Sequence, residues 1–140
     1  MTTGPKLVSI LRQGSYLIAS IHTALDDTQM VRFQEDLVEQ IGRYRSRGVI
    51  IDVAALDVLD SFGARTLRTI AEMARLRGAV TVIVGIQPDV AFAMVSLGMA
   101  TGSVVTLLDL EEGLAFLDSR TQRNATSGRP ALRTLSRGAP

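Results

Sequence analysis

The sequence predicts an α/β fold: a small, mostly parallel β-sheet with an antiparallel hairpin at its N-terminal edge. Three observations support this class. Apolar residues make up 46% of the 140 residues and charged residues 21%, which suffices for one domain with a core. Two short β-rich runs come first, and strand-like and helical segments then alternate. Such alternation implies parallel strands joined by right-handed crossovers.

The first elements are a hairpin and a helix. Residues 7–11 and 16–21 are β-rich runs separated by four residues, which is a hairpin signal. Residues 26–28 offer helix-capping side chains. Apolar residues then recur at spacings of three and four, at Met30, Phe33, Leu37, Ile41 and Tyr44. We expect this helix to end at Arg47-Gly48, with glycine as the terminator.

Two further strand–helix units follow. Residues 49–53 form an apolar run typical of a central strand covered on both faces, and residues 54–60 form a loop. A second helix is predicted from Ser61 to about residue 78, and a strand over residues 80–84. The order predicted up to this point is β-β-α-β-α-β.

The last elements are a helix over residues 88–97, a strand over 104–107 and a helix over 110–117. The uncharged window from Val90 to Leu108 is about as long as a membrane span, but a helix, a glycine-marked turn and a strand explain it better. The N-terminus lacks a signal-peptide pattern. We therefore expect a soluble, cytoplasmic protein with no membrane partner.

The charge distribution separates a body from a tail. Residues 119–140 carry five arginines and no acid, whereas residues 1–118 carry ten basic and fourteen acidic residues. We predict one domain over residues 1–118 and a flexible, arginine-rich tail over 119–140. The alternative for the tail is a basic arm that touches a partner. An acidic body with six aromatic residues is a poor platform for nucleic acid, so we expect no such partner.

The residue inventory disfavours an enzyme. Cysteine is absent, and His22 and Lys6 are the single histidine and lysine. The strand–helix loops carry no glycine-rich dinucleotide fingerprint, no P-loop lysine and no nucleophile elbow around a serine. We expect no catalytic residue, no cofactor and no metal, and we expect His22 to be a surface or packing residue at a strand end.

The loop into the second helix is the remaining candidate site. Asp60 or Ser61 is expected to cap the helix, which stabilises a helix by about 0.5–2 kcal/mol. A serine hydroxyl at a helix start is also a place where a phosphate can be added without unfolding the chain. The new charge would face the positive end of the helix dipole, with Asp57 and Asp60 nearby.

Several segments resemble a known family. The stretch 52–62, DVAALDVLDSF, resembles the phosphorylation segment of STAS domains, the anti-sigma-factor antagonist fold. Segments 25–27 (LDD), 33–37 (FQEDL) and 85–91 (GIQPDVA) resemble RsbS-type proteins, the small STAS-only components of the bacterial stressosome. The resemblance covers about residues 6–117. The Asp-Ser step is general to the superfamily, whereas FQEDL and GIQP are more specific.

The resemblance implies a single STAS domain with helices packed on one side of the sheet, and a role without catalysis. It implies a stressosome scaffold and anti-sigma-factor antagonist of the general stress response. An RsbT-like serine/threonine switch kinase would phosphorylate Ser61 and then leave, and larger RsbR-like sensor paralogues would share the assembly. We also expect self-association.

We expect the kinase to bind over the start of the second helix, at Asp57, Asp60, Ser61, Phe62 and Gly63. Phe62 is either a core residue or an exposed anchor for the partner. Gly63, unusual in a first helical turn, either allows close approach of a kinase or loosens the turn. Two alternative functions stay open: a simple antagonist that binds an anti-sigma kinase directly, and a small-ligand or nucleotide-binding α/β module.

Overall fold

The computed structural model describes residues 6–99 and 104–121. Five strands form one sheet in the order β1-β2-β3-β4-β5. The strands are β1 (Val8–Gln13), β2 (Tyr16–Ile21), β3 (Gly48–Asp52), β4 (Val80–Val84) and β5 (Val104–Leu107). β1 and β2 pair antiparallel, and the other neighbours pair parallel. The predicted fold class is confirmed.

Four helices connect or follow the strands. They are α1 (Asp27–Tyr44), α2 (Ser61–Leu76), α3 (Pro88–Ser96) and α4 (residues 110–121). α4 continues three residues past the expected domain boundary at 118. The predicted tail lies outside the described residues beyond residue 121. No helix in the described ranges is long and apolar enough to cross a membrane.

The helices occupy both faces of the sheet. Val49 and Ile51 of β3 point into the main core, which α1, α2 and α3 cover. Ile50, between them, faces the other way and packs with Leu117 of α4, because successive side chains of a strand alternate between faces. The expectation that all helices pack on one side is therefore wrong for α4. A sheet whose central strand is apolar on both faces needs a cover on each.

The end of α1 also differs from the prediction. α1 stops at Tyr44, and Arg45 takes the left-handed conformation, with φ of 50°. Gly48 does not end the helix but begins β3 and is buried. A Cβ at Gly48 would lie 2.7 Å from Cδ1 of Leu117. This glycine therefore makes room for α4, not for a helix terminus.

The topology places one loop in a prominent position. The carboxyl ends of the parallel strands β2 to β5 meet at one edge of the sheet. α2, α3 and α4 all begin at that edge. The connection from β3 to α2, residues 53–60, lies there, and this loop and the first turn of α2 together hold the predicted site.

Candidate functional site

The loop between β3 and α2 is fixed at its first residues. The Asp52 carboxylate accepts a hydrogen bond from the Ala54 amide at 2.9 Å. The Val53 amide donates to the Val84 carbonyl at 3.0 Å, and the Leu56 amide donates to the Val53 carbonyl at 2.9 Å. Val53 and Leu56 are buried. These contacts hold the loop against the sheet edge.

The loop after β4 supports the same segment from the other side. Gly85 has φ of +78°, and a Cβ there would lie 2.8 Å from Cβ of Ala54. The Gln87 side-chain amide donates to the Ala54 carbonyl at 2.7 Å. The sequence reasoning used Gly85 and Gln87 as marks of resemblance and missed their part in the site. The glycine directly after an apolar run was a sequence signal for close backbone approach, but it did not identify the loop that approaches.

Asp60 is the residue that caps α2. Its backbone is extended, with φ of −84° and ψ of 176°, and its carboxylate accepts a hydrogen bond from the Gly63 amide at 2.7 Å. The sequence left Asp60 and Ser61 as alternative caps, and the geometry assigns the cap to Asp60. The Ser61 side chain is therefore not needed to cap α2.

Ser61 is the first residue of α2, and its side chain is exposed. Within the described part of the chain, no side-chain hydrogen bond uses its hydroxyl. The first turn of α2 holds no acidic residue apart from the cap. A phosphate on Ser61 would sit at the positive end of the helix, close to amide groups that lack helical partners.

The remaining predicted residues surround Ser61 with different degrees of burial. Asp57 is exposed, like Asp60. Phe62 is half-buried and packs against the main core, which favours the core interpretation of that side chain. Gly63 is buried, and a Cβ there would lie 2.9 Å from Cδ1 of Leu59. Gly63 is thus packed closely beneath Leu59 in this turn.

An apolar cleft of about 220 Å³ borders the start of α2. Its wall comes from the end of β2, the start of α1 and the loop before α2: Ile21, Ala24, Leu25, Met30, Leu56, Val58, Leu59, Asp60 and Gly63. Val58 is 60% exposed at its rim. None of these lining residues is basic, and Asp60 is acidic, so the cleft is poorly suited to a nucleotide phosphate.

Groups suited to metal or nucleophilic chemistry do not gather here. Over residues 6–99 and 104–121, no three His, Asp or Glu side chains form a metal-binding group. His22 is exposed just past β2, and its Nε2 lies 3.1 Å from Oγ of Ser9. Ser61 is exposed at the start of α2, and no such metal-binding group of described side chains surrounds it.

Comparison with known proteins agrees with this geometry. The family model described as "STAS domain" matches residues 8–111. The chain belongs to the STAS domain family. The RsbT co-antagonist proteins RsbRA and RsbRD of Bacillus subtilis are 30% and 28% identical to it, over 103 and 90 residues. Those matches cover 74% and 64% of this chain but only 38% and 32% of the two relatives.

Solved STAS structures align over most of the described chain. A serine-to-glutamate variant of RsbS from Moorella thermoacetica has a TM-score of 0.75 and 32% identity, and the match covers 84% of this chain and 99% of that one. A chain from a structure of the stressosome, described as a signal integration and transduction hub, has a TM-score of 0.68 and 31% identity, with 81% and 98% covered. The anti-sigma factor antagonist SpoIIAA, in its unphosphorylated form, has a TM-score of 0.63 at 13% identity, which demonstrates the shared fold alone.

Proposed function

We propose that this STAS protein is a non-catalytic scaffold of a stressosome-type assembly and acts as an antagonist in the general stress response. In this role it holds a serine/threonine switch kinase and releases it when Ser61 is phosphorylated. The observation that carries the proposal is an exposed serine at the first position of α2, where Asp60 and not the serine caps the helix. The similarity to RsbS over nearly the whole described chain supports the class of assembly.

Phosphorylation at Ser61 would change the surface far more than the fold. A phosphate adds about −1.5 to −2 charges at neutral pH. The positive end of α2 offsets part of that charge, so the helix remains intact. Asp57 and Asp60 already make the neighbouring surface negative. The bulky, charged phosphate would disrupt the close apolar contacts of a kinase docked at this place, and the kinase would dissociate.

The docking surface combines a charged rim with an apolar centre. Asp57 and Asp60 supply the rim, and Val58, 60% exposed beside the cleft, supplies apolar contact. Charged rims mainly change association rates, whereas buried anchors mainly change dissociation rates. Asp57→Asn is therefore expected to slow kinase association at low salt without abolishing the complex.

The names of the relatives support the choice of partners. RsbRA and RsbRD are named RsbT co-antagonists, and the segments that match this chain make up 38% and 32% of their lengths. We infer that an RsbT-like kinase and larger RsbR-like paralogues are partners of this chain, and that copies of the chain share the assembly with them.

Binding of Ser61 variants to an RsbT-like kinase tests the proposal. Ser61→Ala should bind like the unmodified protein, whereas Ser61→Asp should bind at least tenfold more weakly. Ser15→Asp is the matched control, because Ser15 is an exposed serine in the turn between β1 and β2, at the opposite edge of the sheet. Equal loss of binding in Ser15→Asp and Ser61→Asp would contradict a local switch.

The size of the complex separates the stressosome role from a simple antagonist role. Light scattering of the purified chain with an RsbR-like paralogue should give a megadalton-scale particle. A small heterodimer with an anti-sigma kinase, and no large particle, would favour the simple antagonist instead.

A further inference from the structure

Charged side chains are distributed unequally between two opposite ends of the molecule. The end where the parallel strands begin, here called the arginine end, carries seven exposed arginines. They are Arg12, Arg43, Arg45, Arg47, Arg75, Arg77 and Arg120. They lie at the ends of β1, α1, α2 and α4 and in the connection from α1 to β3. Two acids also lie at this end: Asp118 accepts a hydrogen bond from the Tyr16 hydroxyl at 2.7 Å, and Glu39 lies beside Arg43.

The opposite end, here called the switch end, carries nine of the fourteen acidic residues. They are Asp26, Asp27, Asp52, Asp57, Asp60, Asp89, Asp109, Glu111 and Glu112. They lie at the carboxyl end of β3, in the loop that follows it, and at the starts of the four helices. Three exposed basic residues, Lys6, Arg32 and Arg65, lie in the same half of the molecule, so acids still outnumber bases there by three to one. Acidic residues at helix starts are favoured by the helix dipole, and arginines at helix ends likewise. The helix dipoles thus account for acidic residues at one end and arginines at the other, and both groups of side chains still face solvent.

Most arginines of the arginine end have no carboxylate partner within the part of the molecule that the structure describes. The guanidinium of Arg12 lies 4.6 Å from the centroid of the Tyr44 ring, and that of Arg43 lies 5.9 Å from it. Arg43 also pairs with Glu39 at 2.9 Å. Among the described residues, no carboxylate pairs within 4.0 Å with any of the other six arginines. The cluster is therefore available to an external acidic surface.

The two ends are too far apart to neutralise each other within one molecule. α1 runs from the switch end to the arginine end, and its 18 residues span about 27 Å at roughly 1.5 Å per residue. Charges are largely screened beyond about 8 Å at physiological salt. When two copies lie end to end, the arginine end of one copy contacts the switch end of the other.

We propose that the arginine end is a docking surface for the switch end of a second copy of this chain. Charge complementarity identifies this occupant, since residues 6–99 and 104–121 hold eleven basic and fourteen acidic residues and copies carry little net repulsion. The contact is head to tail, so it repeats from copy to copy and leads to rings or extended chains. It needs neither a kinase nor a phosphate on Ser61 and goes beyond the function proposed above. Because it covers Asp57 and Asp60, a kinase docked at the switch end would compete with it.

Sedimentation velocity of the full chain at about 20 mM and about 500 mM salt tests the contact, because the Debye length then falls from about 20 Å to about 4 Å. The average mass should rise at least about twofold at low salt. Arg47→Glu/Arg75→Glu should abolish the rise, and so should Asp27→Lys/Asp89→Lys. An equimolar mixture of these two variants should restore it, because each then offers the other a complementary end.

The matched control is Arg32→Glu/Arg65→Glu, which makes the same charge change on exposed residues of α1 and α2 outside the arginine end. It should keep the rise in mass at low salt, and circular dichroism checks that every variant is folded. A mass independent of salt, an equal loss in the control, or no rescue in the mixture would overturn the proposal. A second result would also overturn it: the protein stays monomeric at low salt but binds a short single-stranded DNA probe, and Arg47→Glu/Arg75→Glu abolishes that binding.

Discussion

Replacing Asp60 by alanine should destabilise the protein, whereas replacing its neighbour Ser61 should not. Asp60 accepts the Gly63 amide at 2.7 Å and caps α2. Ser61 lies one residue inside the helix and is exposed. The two substitutions therefore separate the residue that holds the turn from the residue proposed to carry the phosphate.

The magnitude follows from the cap. Loss of an N-cap side chain costs about 0.5–2 kcal/mol, and an acid at this position also interacts with the helix dipole by about 0.3–1 kcal/mol. We expect Asp60→Ala to lower the free energy of unfolding by about 1.5 kcal/mol and the Tm by roughly 5 °C. Ser61→Ala should stay within about 0.5 kcal/mol of the unmodified protein, because alanine is the better helix former.

Urea denaturation of the two variants, followed by circular dichroism, measures both values. Asp60→Asn is the matched control, because asparagine caps a helix about as well as aspartate. Equal destabilisation by Asp60→Ala and Ser61→Ala would refute the assignment of the cap. A neutral Asp60→Ala would refute it as well.

Three further predictions concern the frame of the site. Gly85→Ala should destabilise the protein by at least about 1 kcal/mol more than Gly78→Ala in the same urea assay. Both glycines have positive φ, but of the two only Gly85 has a neighbour that a Cβ would collide with. Equal destabilisation by the two substitutions would contradict this. Phe62→Ala should cost about 2 kcal/mol, less than the roughly 3–5 kcal/mol of a fully buried phenylalanine, because Phe62 is half-buried; an unchanged melting curve with faster kinase dissociation would make Phe62 an anchor. Burial raises the pKa of Tyr16 above 10.0, so Tyr16 loses its proton in the unfolded chain before it does in the folded protein, and stability should fall as pH rises above about 10. In thermal melts, Tyr16→Phe should lack this part of the fall. An identical pH dependence of the Tm in both proteins would contradict the prediction.

The order and type of the elements could be predicted because each has a strong local signal. The strands at 80–84 and 104–107 match the prediction residue for residue. The last residue of α1 could not be predicted from local sequence signals. Gly48 looked like a helix terminator, but tertiary packing against Leu117 decides its identity. The side of the sheet that α4 covers also depends on packing, which no spacing within residues 110–121 reveals.

The site was predictable in position but not in detail. A short run of acid, serine and aromatic residues marks the start of α2, and the sequence left two capping residues open there. Geometry resolves them because the Asp60 carboxylate reaches the Gly63 amide. The support from Gly85 and Gln87 was missed, since these residues are more than 20 positions from the loop they hold. Only the parallel pairing of β3 with β4 brings the two loops together.

Phosphosite mapping tests the proposed switch most directly. The purified chain, bound to an RsbT-like kinase, is incubated with ATP, and mass spectrometry follows the modified residues while the kinase is separated from the complex. The account predicts that Ser61 gains the phosphate and that release of the kinase follows with the same time course, with neither event in Ser61→Ala. Phosphate on another residue while Ser61 stays bare, or release of the kinase from Ser61→Ala at the normal rate, would contradict it.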